Sequence, residues 1–305
     1  MPSIYEDKAW KELEARKTSK VGWFDKAMQR MDKPLDAAGS LLMKTPGISR
    51  LIEKSVGGII AVANDAAQWS VRAEAIFAHY RLAGHANVRT PSDIHALDLA
   101  QVDENIGWLA GKYKALALTE GAGFGAMGPV GIPLDIVSLV TLNLRAIGEY
   151  ATYYGFDVSS RVERLFAINV LAFASSPSDG SKAIAMAQLL QISKNVAKKR
   201  AWKDVERYAF AVVLPRLAKA LGIRLTKAKL AQFVPLAGAV VGAGFNTYFT
   251  AKVCDAASWL YRERFLAAKY GADFLNVSIE PAHDRDPDRA EGSKGSKDAA
   301  RRPAV

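Results

Sequence analysis

Five polar residues stand where polar side chains are costly. Asp135, Asn143, Arg145 and Glu149 interrupt one apolar run, and Asn246 interrupts another. A polar group buried without a partner costs roughly 2–7 kcal/mol, so each needs a bond or a ligand. Arg145 and Glu149 are four residues apart and share one helix face. Two kinds of chemistry fit the set. The residues can bond to one another and fix the register of packed helices, or they can form a polar ligand or lipid-headgroup site between two hairpins.

Catalytic patterns are harder to find. The chain has four histidines, His79, His85, His95 and His283. With Asp93 and Asp98 the first three suggest a metal cluster, but their spacing matches no usual ligand pattern such as H-E-x-x-H. GWLAGKY at 107–113 is one residue short of a phosphate loop, and Tyr113 stands where Ser or Thr would hold magnesium. GAGFGAMG at 121–128 holds Gly-x-Gly without the strand a dinucleotide site requires. No nucleophile elbow occurs. Cys254 is the single cysteine, so no disulfide closes within the chain and a reducing compartment is implied. Its place one turn into the last helix suits a packed thiol. The expectation is therefore no catalytic residue, no metal and no cofactor. A hydrolase with an unfamiliar helical active site stays open, because a Ser-His-Asp arrangement depends on tertiary proximity.

Charge is the second signal. The net charge is +10, and residues 191–279 hold 15 bases against 5 acids. Lys194, Lys198, Lys199, Arg200, Lys203, Arg207, Lys227 and Lys229 form the centre of this excess. They precede an uncharged run, AQFVPLAGAVVGAGFNTYFTA at 231–251. Such a cluster is a solvated helix face or a surface for anionic lipid, where each base contributes about 1 kcal/mol. Trp202 and Tyr208 interleave the bases as nucleic-acid stacking would need, yet no nucleic-acid motif accompanies them. The run at 231–251 meets the length of a membrane span, since about 20 apolar residues suffice. Its Ala and Gly content, with Gly238 and Gly242 four apart, favours a close-packed core hairpin over one that dips into a membrane. A mean hydropathy of +0.00 keeps a membrane relation in view.

These residues need elements to position them, and the periodicity is helical throughout. Helices are expected over 4–17, 21–43 with Pro34 dividing it, 48–83, 97–119, 133–155, 161–174, 182–222 and a last one ending before Gly271. Ser92 is the expected cap after a loop at 84–93. Glycines at 121–128 look too dense for a helix interior, each costing about 1 kcal/mol against Ala. The Gly57-Gly58 pair should weaken its helix. The N-terminus is charged and lacks the apolar core of a secretory signal. The fold class is all-α: a multi-helix bundle with two Gly/Ala-rich apolar hairpins packed on each other, and a disordered charged tail over 276–305. The expected organisation is an N-terminal helical segment at 1–90 on a core at 91–275.

Two blocks add a family. EGAGFGAMGPVGIPLDIVSLVTLNLRAIGEYATYYGFD and FVPLAGAVVGAGFNTYFTAKVCDAASWLYRERFL resemble the signature blocks of the bacterial EcsC family over about residues 92–270. The first has that family's glycine-rich turn, its Pro-x-Asp helix start and its Tyr-Gly-Phe-Asp ending. The second resembles its Val-Pro-x-x-Gly-Ala block with a following Asn. The resemblance implies a helical protein whose founding member accompanies an ABC-type exporter. It implies no reaction and no catalytic residue. Together with the charge map, it leads to a non-enzymatic protein peripheral to the cytoplasmic face of the inner membrane. Its expected partners are an anionic membrane surface and an ABC-type transporter or another membrane protein.

Overall fold

The computed structural model describes residues 1–18, 40, 42–43, 45–65, 71–125, 127–176, 211, 214–231 and 244–271. No strand occurs among the described residues. The helices are α1 (Ile4–Thr18), α2 (Ile48–Asn64), α3 (Ala73–Leu82), the single turn α4 (Pro91–Ile94), α5 (Leu99–Ile106), α6 (Leu109–Gly125), α7 (Ile132–Tyr153), α8 (Arg161–Ser175), α9 (Leu214–Ala231) and α10 (Phe245–Tyr270). A short 3-10 turn at Gly128–Gly131 joins α6 to α7. The expected helix at 21–43, most of 182–222 and the tail at 276–305 lie outside the described residues.

Local signals explain most boundaries. Thr90, and not Ser92, caps α4, with Pro91 at its first position and Asp93 closing a capping box. Asp98 and Gln101 form the same device at α5. Pro133 and Asp135 start α7, and Gly155 ends it at a φ of 84° that only glycine adopts without strain. Phe156 then donates its N–H back to Ala151 at 2.8 Å. Gly271 stops α10 as expected.

Several expected helices divide or extend. The 48–83 pattern becomes α2 and α3, and the 97–119 pattern breaks at Gly107. The Gly57-Gly58 pair leaves α2 continuous. Gly58 lets α2 approach α7 so closely that a Cβ there would lie 2.2 Å from Val137 Cγ2. The dense glycines also fail to end α6, which runs through Gly121 to Gly125. Packing supplies the reason. A Cβ on Gly121 would lie 2.9 Å from Asn246 Nδ2, so the missing side chain lets α6 sit against α10. The propensity cost of these glycines is offset by closer helix contact.

α6 and α7 are antiparallel neighbours, as the cross-links Lys112–Glu149 and Glu120–Ser138 show. α10 packs on α6, α7 and α8, while α9 packs chiefly on α2. α9 and α10 both also touch α7 and α8. α7 is buried along most of its length and forms the centre of one continuous core. α1 is more than a surface helix. Its Glu6 is buried and accepts from Leu99 N, Lys269 Nζ and Tyr270 Oη. Burial pulls that carboxyl up, but these bonds outweigh it and hold it below its ordinary value. Asp103 adds a second tie, accepting from Tyr5 Oη at 2.9 Å and Tyr154 Oη at 2.8 Å beside Arg262.

Candidate functional site

The first turn of α7, the last turn of α9 and the first turn of α10 meet at one end of the bundle. There Lys229 Nζ donates to Asn246 Oδ1 at 2.5 Å and pairs with Asp135 Oδ2 at 2.5 Å. Asn246 Nδ2 donates to Asp135 Oδ1 at 3.2 Å, closing a three-membered ring of bonds. All three residues are buried. The Phe245 ring covers the ammonium at 5.3 Å. Burial pulls the Lys229 ammonium below its ordinary pKa, and Asp135 opposes the fall. The charges also suit the helix ends, an acid in the first turn of α7 and a base in the last turn of α9.

This ring ties the two Gly-rich segments together, and apolar surface surrounds it. Beside it, the turn between α6 and α7 presents Met127, Val130 and Leu134, which are 53%, 81% and 57% exposed. Residues 232–243, which carry no charge, leave α9 two residues after Leu230 and return to α10 at Gly244. Both apolar connections therefore begin and end at the same pole of the molecule. The stretch Gly128–Tyr153 is long and apolar enough to cross a bilayer, but 67% of its most apolar window is buried inside the bundle, as in a core helix.

The polar residues singled out in the sequence separate into three places. Asp135 and Asn246 meet at the turn end. Asn143 lies deep in the core, donates to Leu139 O at 2.7 Å and leaves its Oδ1 without a partner among the described residues. Glu149 bonds Lys112 at 2.7 and 2.8 Å, and Arg145 is exposed one turn away. Of the basic set, Lys194, Lys198, Lys199, Arg200, Lys203 and Arg207 lie outside the described residues. Lys227 is half-buried. Lys229 cannot serve as the surface lipid contact expected of it, because its ammonium is enclosed by Asp135, Asn246 and Phe245. An isolated ammonium count along the sequence carried no sign of that acid, 94 residues away in the chain.

Sequence reasoning missed a second buried pair. Arg264 donates to both oxygens of Glu163 at 2.6 Å. Its guanidinium lies 4.1 Å from the centres of both Phe156 and Phe166. The four-residue rule looks only within a helix, whereas this pair spans α8 and α10. Cys254 is buried, and burial pushes its thiol up to about 12, which leaves it protonated and unreactive.

The fold is thus a helical bundle with buried polar bonds tying helices together and an exposed apolar group, Met127, Val130 and Leu134, at its turn end. The chain belongs to the EcsC protein family, whose sequence profile matches residues 7–266 and so takes in α1 as well as the two signature blocks. It is similar to Protein EcsC of Bacillus subtilis (strain 168), with 26% identity over 191 residues, 62% of this chain and 75% of that one. It is also similar to the uncharacterized protein YdbA of the same strain, with 28% identity over 174 residues, 56% of this chain. The match spans 61% of the length of YdbA. No solved structure matches.

Proposed function

We propose that this protein is a non-enzymatic peripheral protein of a membrane surface, docked by its turn end and accessory to a membrane transporter or secretion process. The exposed Met127, Val130 and Leu134 carry this reading, because they stand at the pole where α9 ends and α10 begins, on either side of an uncharged stretch of sequence. Exposed apolar side chains in one cluster mark an interaction surface. A bilayer suits such a cluster, since shallow insertion buries apolar tips without a complementary protein surface. The basic residues at 194–207 add attraction for anionic lipid. Membership of the EcsC family supports the link to transport only through the resemblance, and the basic charge supports the cytoplasmic face.

Liposome sedimentation of the full chain tests the docking. Binding should persist at high salt, because the Debye length falls from about 10 Å at 0.1 M to about 3 Å at 1 M and removes only the electrostatic part. Val130→Asp with Leu134→Asp should abolish the salt-resistant part. Replacing Lys198, Lys199, Arg200 and Lys203 by Gln should weaken only the salt-sensitive part. Binding to neither neutral nor anionic vesicles, or binding indifferent to the two Asp substitutions, would refute docking by this pole.

A further inference from the structure

A cavity of about 550 Å³ lies between α3, α6 and α7, reaching from Trp108 to Glu120 near the turn-end ring. Arg72, Lys112 and Arg145 bring three cations to its wall. Glu149 lines it too and is bonded to Lys112, so the three cations face one nearby carboxylate. The other acid, Glu120, lies eight residues along α6 from Lys112, about 12 Å at the helical rise, and is bonded to Ser138. The region around Arg145 therefore keeps an excess of two positive charges. Arg72 and Arg145 are exposed, with their guanidinium groups open to a ligand entering from solvent.

A buried hydroxyl points the same way. Tyr113 is 1% exposed and lines the cavity, with its hydroxyl set against the Glu149 carboxylate and near Arg145. A ligand oxygen can take the hydroxyl's hydrogen bond in place of Glu149. Trp108, 48% exposed, stands at one end of the cavity with Lys112 over its ring at 5.3 Å. That contact and the Glu149 bond hold Lys112 in a fixed position.

We propose that this cavity binds a phosphate monoester, its oxygens accepting from Arg72, Arg145, Lys112 and Tyr113 Oη. A monoester carries about 1.5 to 2 negative charges at neutral pH and three acceptor oxygens, which matches the charge excess and the number of donors better than a carboxylate does. Arginine suits the role because its planar fork bonds two phosphate oxygens at once. The ester group then lies along Ile76, Leu116 and Leu142, which line the apolar side of the cavity. The same chemistry is offered by a soluble phosphate ester and by the headgroup of phosphatidic acid.

Isothermal titration of the full chain with glycerol 3-phosphate and with inorganic phosphate addresses the soluble source. Sedimentation with phosphatidylcholine vesicles, with and without phosphatidic acid, addresses the lipid source. The expected result is saturable binding in one or both arms. The double substitution Arg72→Gln with Arg145→Gln should weaken it by about tenfold or more, and Tyr113→Phe by a few-fold. Both arginines are exposed, so the double variant should keep the parent's thermal transition. Binding of glycerol 3-phosphate alone identifies a soluble ligand, and phosphatidic-acid-dependent sedimentation alone identifies the headgroup. The Val130→Asp and Leu134→Asp variant should retain glycerol 3-phosphate binding, which separates this site from the membrane-docking reading. No binding in either arm, or binding unchanged in the double arginine variant, overturns the proposal.

Discussion

α10 carries a buried polar bond near each end, and the two are built differently. Toward its C-terminal end, Arg264 meets Glu163 through two parallel bonds and is sandwiched between Phe156 and Phe166. Eighteen residues earlier, about 27 Å along the helix, Asn246 meets Lys229 and Asp135. The guanidinium keeps its charge under burial, with Glu163 holding its pKa above the ordinary value against desolvation. The Lys229 ammonium is instead pulled below its ordinary pKa by burial, with Asp135 opposing the fall. The aromatic end is thus locked by a permanent ion pair among rings. The turn end is held by a ring of three bonds beside exposed apolar side chains.

The largest expected effect breaks the locked end. Glu163→Gln leaves the Arg264 charge buried without a counter-ion and should cost about 3–5 kcal/mol in denaturant unfolding. Removing both charges together, as Glu163→Leu with Arg264→Met, should recover most of that loss. A single-variant loss below about 1 kcal/mol would mean that water reaches the pair and that the ends do not differ as described.

Lys229→Met should cost less, about 2–3 kcal/mol, because Asn246 still donates to Asp135 and the carboxyl can take a proton. Hydrogen exchange should show the loosening confined to the first turns of α7 and α10. Uniform loosening along α10 would erase the distinction between its ends.

Gly121→Ala comes next. Its Cβ would press on Asn246 Nδ2 and Cγ at 2.9 and 3.2 Å, and overpacking of this kind costs about 1–3 kcal/mol. The Lys229→Met background should reduce that cost, since Asn246 is then freer to move. Strict additivity in the double variant would show that Gly121 does not act through the ring.

The smallest effect is a pH dependence at the aromatic end. His95 packs against Phe156 and Phe265. Burial lowers its pKa from 6.5, and Arg264 lowers it further, while Glu163 and the Tyr154 backbone oppose the fall. The unfolded chain therefore takes up a proton before the folded one does. Stability is complete above about pH 6.5, falls as pH drops below that, and levels off once the folded histidine also protonates. His95→Gln should flatten this part of the thermal-shift profile. A profile that keeps its slope between pH 7 and pH 5 assigns the effect to other groups.

Helix identity was legible because the apolar positions repeat at helical spacing and because Pro133, Asp135, Gly155 and Gly271 punctuate the pattern locally. The polar candidates were legible as costs. Asp135 and Asn246 had to be satisfied somewhere, and they are. Their partner was hidden, because Lys229 looked like one of many bases beside an apolar run. The proposed phosphate cavity was hidden for the same reason, since Arg72 caps α3 while Lys112 and Arg145 lie in α6 and α7, and they share no sequence spacing.

By itself the sequence determined the all-helical class, the start and stop of α7, the stop of α10, and the family, since these rest on residues near one another in the chain. Tertiary structure alone decided which charge is paired and which is exposed, and it turned Gly58 and Gly121 from helix weakeners into contact points. The physical reason is that propensity and capping act over a few residues, whereas burial and pairing depend on which helices meet. A lysine and an aspartate 94 positions apart become a buried bond only when α7, α9 and α10 close on one another.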